Sequence, residues 1–333
     1  MSDDIAESLL PPGTTAWILA SGKAGHEVNC LGVAKALGVA PIIRRVAPRR
    51  LFAALAPYGP IDPRDAPRRG REPLAPPFPD ITLAAGRITV PYLRTLKRAS
   101  PRTFTVFLQD PRTGRRTADV IWVPEHDRLR GDNVVTTLTS PHPLRPDMLM
   151  HARNEPDPRI ARLASPRVAM ILGGPSAGHK FDAQDVTALV AIAAECARGG
   201  KGLMITPSRR TPSELVAELA KALAAAGPDR AFVWHGTGAN PYIAMLANAE
   251  AIIVTGDSAN MIGEAVATGA PVHVYEPSGD SPKMKKFIDG LVAQGAVRRW
   301  RGTLENWTYE PIDATATIAR EIAMRYVRFK YSA

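Results

Sequence analysis

The chain reads as an α/β protein built from two consecutive Rossmann-like domains, with parallel sheets facing a central cleft. Three observations predict this. Short apolar runs alternate with stretches of helical spacing along most of the length, the pattern of a parallel sheet covered on both faces. A strand, a glycine-containing loop and a helix follow one another twice, over 16–37 and again over 167–198. The 333 residues, 45% hydrophobic and 22% charged, suffice for two domains with sizeable cores.

In the first half, Ala16-Trp17-Ile18-Leu19-Ala20 is a short run bounded by Gly13 and Gly22, which predicts a buried strand. The loop 21–26 follows. Val28, Leu31, Ala34 and Leu37 then give helical spacing, with Gly38 as the stop. Further strands are expected at 42–46, 81–85, 104–108 and 119–123, with a helix marked by Val90, Leu93 and Leu96. Residues 57–79 hold eight prolines and four arginines, so they are expected as a mobile irregular loop within this domain.

The second half opens with a strand at 167–172, a loop Gly173-Gly174-Pro175-Ser176-Ala177-Gly178 and a strong helical pattern from Asp182 to Arg198. Strands are expected at 202–206, 231–234, 251–254 and 271–275. Helices are expected from a cap at Thr211 or Ser213 to Ala226, then over 241–247, 258–269, 282–294 and 313–329. The proline-rich, polar stretch 145–165 reads as the boundary. The division expected is one Rossmann-like domain at 1–155, a second at 160–310 and a C-terminal helix at 311–333 that packs back on the first domain.

Composition narrows the function. Two cysteines, Cys30 and Cys196, exclude a disulfide scaffold or a Cys-rich zinc module and suit a reducing cytoplasm. No apolar run approaches a membrane span, and the acidic start MSDDIAESLL lacks the basic region of a signal peptide. The chain is therefore expected in the cytoplasm, on the inner face of the membrane if it meets one. The net charge is +10, and residues 1–155 carry 22 Lys and Arg against 15 Asp and Glu. Such a surplus suits an anionic partner, though an arginine-rich codon bias would also produce it. Nucleic acid is not expected, because aromatics are only 6% and are not interleaved with the basic residues.

Loops at strand ends carry the candidate chemistry. Gly173 and Gly174 follow a buried strand, where the next helix can aim its N–H groups at a phosphate, although no Walker or GxGxxG spacing is present. Ser208, Arg209 and Arg210 lie at the next strand's end, and arginine suits bidentate phosphate contacts. Gly256, Asp257 and Ser258 lead into a helix carrying Asn260, Met261 and Glu264; its carboxylate could hold ribose hydroxyls. In the first half, Gly22, Lys23, Gly25 and His26 end the first strand. A histidine at a helix start stays neutral and able to accept a proton, and Lys23 could hold an anionic acceptor. Asp110 is the alternative base, with a turn cap as its plainer role. There is no HExxH, no GxSxG and no Asp-x-Asp pair, so neither a metal nor a cofactor is expected.

Ser21-Gly22-Lys23-Ala24-Gly25-His26-Glu27-Val28-Asn29, Gly173-Gly174-Pro175-Ser176, Ser208-Arg209-Arg210-Thr211-Pro212 and Thr255-Gly256-Asp257-Ser258-Ala259-Asn260-Met261 together resemble the mitochondrial fission ELM family over nearly the whole chain. The architecture resembles GT-B glycosyltransferases, particularly the peptidoglycan N-acetylglucosaminyltransferase type. That resemblance implies an acceptor domain followed by a nucleotide-sugar domain. It also implies matches at Gly22, Gly25 and His26, at Gly173-Gly174-Pro175-Ser176, and at Glu264-Ala265 with Gly269-Ala270-Pro271. The longer glycine-rich acceptor loop is missing, and Asp257 stands where the type varies. The function expected is a metal-independent, inverting transferase acting from a nucleotide-sugar onto a lipid-linked or lipopolysaccharide-type acceptor at an anionic membrane. Its base would be His26, or Asp110. Amides of Gly174, Ser176 and 258–260 would cradle the diphosphate, Arg209 or Arg210 would assist, and Glu264 would hold ribose. The alternative is a non-catalytic scaffold of the same fold acting at a membrane or in a division complex.

Overall fold

The structure is a computed structural model that describes residues 8–70 and 72–332. The acidic segment 1–7, and Arg71 of the proline-rich stretch, lie outside the described residues. The chain divides into two compact units: Met1–Pro143 with Asp313–Ala333, and Leu144–Ile312.

The first unit contains β1 (Ala16–Ala20), α1 (Ala24–Ala36), β2 (Pro41–Arg45), α2 (Arg50–Leu55), β3 (Ile81–Ala84), α3 (Thr89–Ala99), β4 (Phe104–Leu108), β5 (Val120–Pro124) and β6 (Val134–Thr137). Its sheet runs β2-β1-β3-β4-β5-β6, and every pairing is parallel. β1 is buried on both faces, which explains its unbroken apolar run. The strand period of two sends Ala16, Ile18 and Ala20 to one core and Trp17 and Leu19 to the other. The C-terminal helix, α11 (Thr315–Tyr331), belongs to this unit. Its Ile318, Ala319, Ile322 and Tyr326 join Ile18, Leu83 and Val106 in one cluster. Thr315 anchors its start by donating to the His142 carbonyl and accepting from the His142 N–H (3.2 and 3.1 Å).

The second unit contains α4 (Pro146–Asn154), α5 (Pro158–Ala161), β7 (Arg167–Leu172), α6 (Ala183–Arg198), β8 (Gly202–Pro207), α7 (Ser213–Leu223), β9 (Ala231–Val233), α8 (Tyr242–Ala247), β10 (Ala251–Thr255), α9 (Ala259–Val266), β11 (Val272–Tyr275), α10 (Pro282–Ala293) and β12 (Val297–Arg299). The sheet order is β12-β11-β10-β7-β8-β9, again all parallel. The expected fold class, two Rossmann-like α/β units, is what the chain forms.

Several elements depart from expectation. The stretch 145–165 is helical: Pro146 and Pro158 open α4 and α5, the helix position where proline costs nothing. Pro146 and Pro158, which mark the boundary in the sequence, are helix starters. Likewise 57–79 contains two 3-10 turns opened by Pro63 and Pro67, and the fully buried Asp62 carboxylate there pairs with Arg49 and Arg64 (2.9 and 3.0 Å). Strands β6 and β12 were not expected. Each is a short edge strand with one buried residue, Val135 and Val297, too little for an apolar signal. Neither Thr211 nor Ser213 caps α7, whose N-cap is Pro212.

Two outcomes follow from this packing. Ile322→Ala should destabilise the first unit by about 2–5 kcal/mol, read as a lower urea midpoint for that unit's transition. In the second unit, His273 is fully buried on β11, accepts from the Glu305 N–H (2.9 Å) and sits edge-on to Trp300 and Trp307. Burial lowers its pKa below 6.5. The unfolded chain therefore binds a proton that the folded chain refuses. Stability is full above pH 6.5 and falls as the pH drops below it. Thermal unfolding from pH 8 to 5 should show that loss, and His273→Gln should diminish it.

Candidate functional site

In the second unit the chain leaves β7, adds β8 and β9 on one side, and returns to add β10 on the other side of β7. At such a reversal the loops leaving neighbouring strands diverge and open a crevice at the carboxyl edge, where open α/β sheets hold ligands. The loops after β7, β8 and β10 are the three singled out from the sequence, and side chains weld them together here.

Asp257 is the centre of that weld, and its side chain has no exposed surface. One carboxylate oxygen accepts from Thr255 Oγ1 (2.7 Å). The other accepts from the Gly174 N–H (3.2 Å) and from Arg210 Nη2 (2.8 Å). Arg210 Nη1 donates to the carbonyls of Gly174 and Pro175 (2.8 and 2.9 Å). Thr255 Oγ1 also accepts from the Gly173 N–H (2.7 Å). Thr211 Oγ1 donates to the Gly173 carbonyl (2.6 Å) and accepts from the Ser208 N–H (2.8 Å). Ser208 Oγ in turn accepts from the Arg210 N–H (3.2 Å).

This geometry changes the reason for the glycines. A Cβ on Gly173 would lie 2.0 Å from an Asp257 carboxylate oxygen, and one on Gly174 would lie 1.9 Å from the Arg210 carbonyl. The missing side chains make room for the internal carboxylate and for the neighbouring loop. The expected phosphate donors are also occupied. The Gly174 N–H is held by Asp257, and the Ser176 N–H donates to the His179 carbonyl (2.9 Å). The start of α6 is closed as well. Asp182 accepts from the N–H groups of Gln184 and Asp185, and Asp185 accepts from the Asp182 N–H, a reciprocal capping box. Asp185 is further held by Tyr275 Oη and by Ser278.

The remaining predicted residues of this unit fall at its margins. Arg209 is exposed and makes no hydrogen bond or ion pair among the described residues. Ser258 caps α9, accepting from the Met261 N–H (3.5 Å), with Asn260 in the same first turn. Glu264, farther along α9, is partly buried and accepts from Tyr242 Oη (2.6 Å). Burial raises its pKa, and the Tyr242 bond opposes that shift. Beside the 175–181 loop lies a cleft of about 520 Å³ lined by His179, Glu276, Ser281, Lys285 and Arg299 among others.

The first unit has its own reversal, between β1 and β3. Gly22 takes a left-handed conformation (φ 79°), and α1 begins two residues later with Gly25 and His26 in its first turn. Gly22, Lys23 and Gly25 are exposed. His26 reaches across to Gly86, just after β3: a Cβ there would lie 2.4 Å from His26 Nδ1. Gly86 has φ 88°, so conformation and space both demand glycine. His26 Nδ1 is shut from solvent without a partner, which leaves Nε2 as the nitrogen able to exchange a proton. Burial, and then the charge of Lys23, lower the ring's pKa, so it is neutral at pH 7. Asp110, after β4, uses one carboxylate oxygen on the Arg112 N–H (2.8 Å), the turn-capping role.

Thr255, Thr211, Tyr242 and Gly86 position this machinery and were not picked out from the sequence as site residues. Thr255 and Thr211 lie within the quoted motifs, but what their hydroxyls hold is visible only once the strands are aligned. Tyr242 and Gly86 lie 22 and 60 residues from the groups they touch.

A profile of the mitochondrial fission ELM1 family matches residues 24–326. The Arabidopsis thaliana mitochondrial fission protein ELM1 is 29% identical over 282 residues, a match that spans 74% of this chain and 65% of that protein. Among solved structures, the S. aureus MnaA–UDP co-structure superposes with a TM-score of 0.50 at 12% identity, covering 96% of this chain and 91% of that one. E. coli ADP-heptose lps heptosyltransferase II gives a TM-score of 0.49 at 11% identity, covering 96% and 100%. At these identities the likeness to solved structures is one of fold. The sequence match over almost the whole length is of another kind, and the chain belongs to the mitochondrial fission ELM1 family.

Proposed function

We propose that this chain is a metal-independent glycosyltransferase that moves a sugar from a nucleotide-sugar donor to a membrane-associated glycolipid or lipopolysaccharide-type acceptor. The observation that carries this reading is the joining of the loops after β7, β8 and β10 at the reversal point of the second sheet, with an arginine pair there and a partly buried Glu264 on α9. The S. aureus MnaA structure of similar fold was solved with UDP, which agrees with a nucleotide on such a scaffold.

In this reading a guanidinium at 209–210 and the first turn of α9 receive the donor diphosphate, with Glu264 accepting hydrogen bonds from ribose hydroxyls. His26 Nε2 takes the proton of an acceptor hydroxyl. The freed oxygen attacks the anomeric carbon, the bond from that carbon to the diphosphate oxygen breaks, and the diphosphate leaves with the electron pair. One base and one displacement give inversion. Gly22, Lys23 and Gly25 would line the acceptor side. Asp110, already bonded to its own turn, has the weaker claim as base.

A second reading, a non-catalytic scaffold at a membrane or in a division complex, has its own observations. The Gly174 amide and Arg210 are satisfied internally by Asp257. Helix α2 buries none of its residues and exposes Leu51 and Leu55, with Tyr58 nearby and Arg49 and Arg50 at its start. An apolar patch flanked by arginines suits an anionic bilayer. No helix among the described residues is long and apolar enough to cross a membrane.

A screen of UDP-, GDP-, ADP- and CMP-sugars for hydrolysis and thermal stabilisation separates the two. The transferase should be stabilised by one nucleotide class and should turn that donor over. A scaffold should respond to none, yet sediment with anionic vesicles. With the right donor, His26→Ala should keep donor binding and lose about 10²–10⁴-fold in turnover; unchanged turnover removes His26 from the reaction. Because the ring's pKa is lowered, the acid limb of kcat/KM should lie below pH 6.5.

A further inference from the structure

We infer that Arg209 and Arg210 divide two jobs that the sequence offers to either. Asp257 is a positioning residue that turns Arg210 into a strut, and Arg209 alone is the cation presented to an anionic ligand. This inference rests on the nucleotide-sugar reading for the identity of that ligand.

The strut is built at the end of the Arg210 side chain, which uses three of its five N–H donors although the residue is exposed. Both terminal nitrogens of Arg210 are engaged, Nη1 by two carbonyls of the β7 loop and Nη2 by Asp257. The Asp257 carboxylate is wholly buried and receives bonds from three loops' worth of chain: Thr255, Gly174 and Arg210. Gly173 leaves no space for a Cβ beside the Asp257 carboxylate, and Gly174 leaves none beside the Arg210 backbone carbonyl. An ordinary anion-binding arginine keeps its planar fork free for two oxygens. Arg210 cannot turn its Nη1/Nη2 end to a ligand without breaking the carbonyl bonds that hold the β7 loop and leaving a buried carboxylate unpaired, a costly state. Releasing Asp257 would also leave its negative charge beside any incoming phosphate. Arg209 meets none of these constraints. It is the adjacent residue on the same β8 loop, exposed, and without a hydrogen bond or ion pair among the described residues.

The division makes Asp257 part of the specificity of the site. Its carboxylate holds the Gly174 amide, so a diphosphate is received outside the loop junction, by Arg209, and not in the glycine cradle.

Five proteins test this: wild type, Arg209→Gln, Arg210→Gln, Asp257→Asn and the double variant Arg210→Gln/Asp257→Asn. Each is the full chain, followed by thermal unfolding without ligand and by calorimetric titration with UDP, GDP, ADP and inorganic pyrophosphate. Arg210→Gln, which strands a buried carboxylate, should lower the midpoint by roughly 5–10 °C. The double variant should recover at least about half of that loss, a non-additivity that shows direct coupling. Arg209→Gln should unfold like wild type but bind the best nucleotide at least about tenfold more weakly. The double variant should bind it within about threefold of wild type, a retention that a ligand-contacting Arg210 would not allow. Arg209→Gln with unchanged affinity, or a stable double variant that has lost binding, overturns the division. Additive midpoint shifts overturn the strut. If wild type binds neither a nucleotide nor pyrophosphate, the nucleotide-sugar reading fails and Arg209's role with it, while the unliganded midpoints still decide the strut. Should a single variant at 210 or 257 fail to fold, the double variant and Arg209→Gln carry the test.

Discussion

One buried carboxylate organises the carboxyl edge of the second sheet. A lone ionised group at that depth would cost several kcal/mol, so Asp257 can exist as observed only because an arginine, a threonine hydroxyl and a backbone amide are all aimed at it. Those three donors come from three different strand ends. The need to satisfy one charge therefore fixes the relative positions of the loops after β7, β8 and β10. The two glycines, the Thr255 and Thr211 hydroxyls and the Arg210 fork then read as parts of a single device, in which removal of any member exposes the others to an unpaid desolvation.

The first unit reaches a comparable place with less machinery. Its order reversal lies between β1 and β3, and the group set there is His26, pressed on the bare Cα of Gly86. Burial without a partner for Nδ1 holds the ring neutral, and the nearby Lys23 charge acts in the same direction. Nothing in the second unit's loop junction has that character: its charged groups, Arg210 and Asp257, are paired with one another. The contrast between a neutral proton acceptor in one unit and a charge-balanced loop junction in the other is a chemical difference built on the same topology.

Much of this was legible in the residues. β1, β3, β4 and β5, and most strands of the second unit, are short apolar runs because their sheets are covered on both faces, and α6 announces itself with its Asp182 cap and glycine stop. The failures share a cause. β6 and β12 sit at sheet edges and bury one side chain each. Helices α4 and α5 were hidden by prolines that occupy the one helical position tolerating them. The loops that meet at Asp257 stand out in the sequence, but what holds them together does not. A glycine pair looks the same in sequence whether a phosphate or an internal carboxylate approaches it, and no local pattern tells which of two adjacent arginines will find a partner 47 residues away.

The buried carboxylates of the second unit also differ in how fully they are used. Asp185 receives bonds from Tyr275, from the Ser278 N–H and hydroxyl, and from the Asp182 N–H. Asp257 receives three donors, one of them charged. Asp185 has spent its acceptor capacity on the fold, and Asp257 most of it. Glu264 has one donor among the described residues, Tyr242 Oη, and burial raises its pKa while that bond opposes the shift. A carboxylate offers about four acceptor sites, and Glu264 keeps more of them open among the described residues than Asp185 or Asp257 does. Spare capacity at a partly buried carboxylate, on the helix that starts from the loop junction, is what a pair of ligand hydroxyls requires.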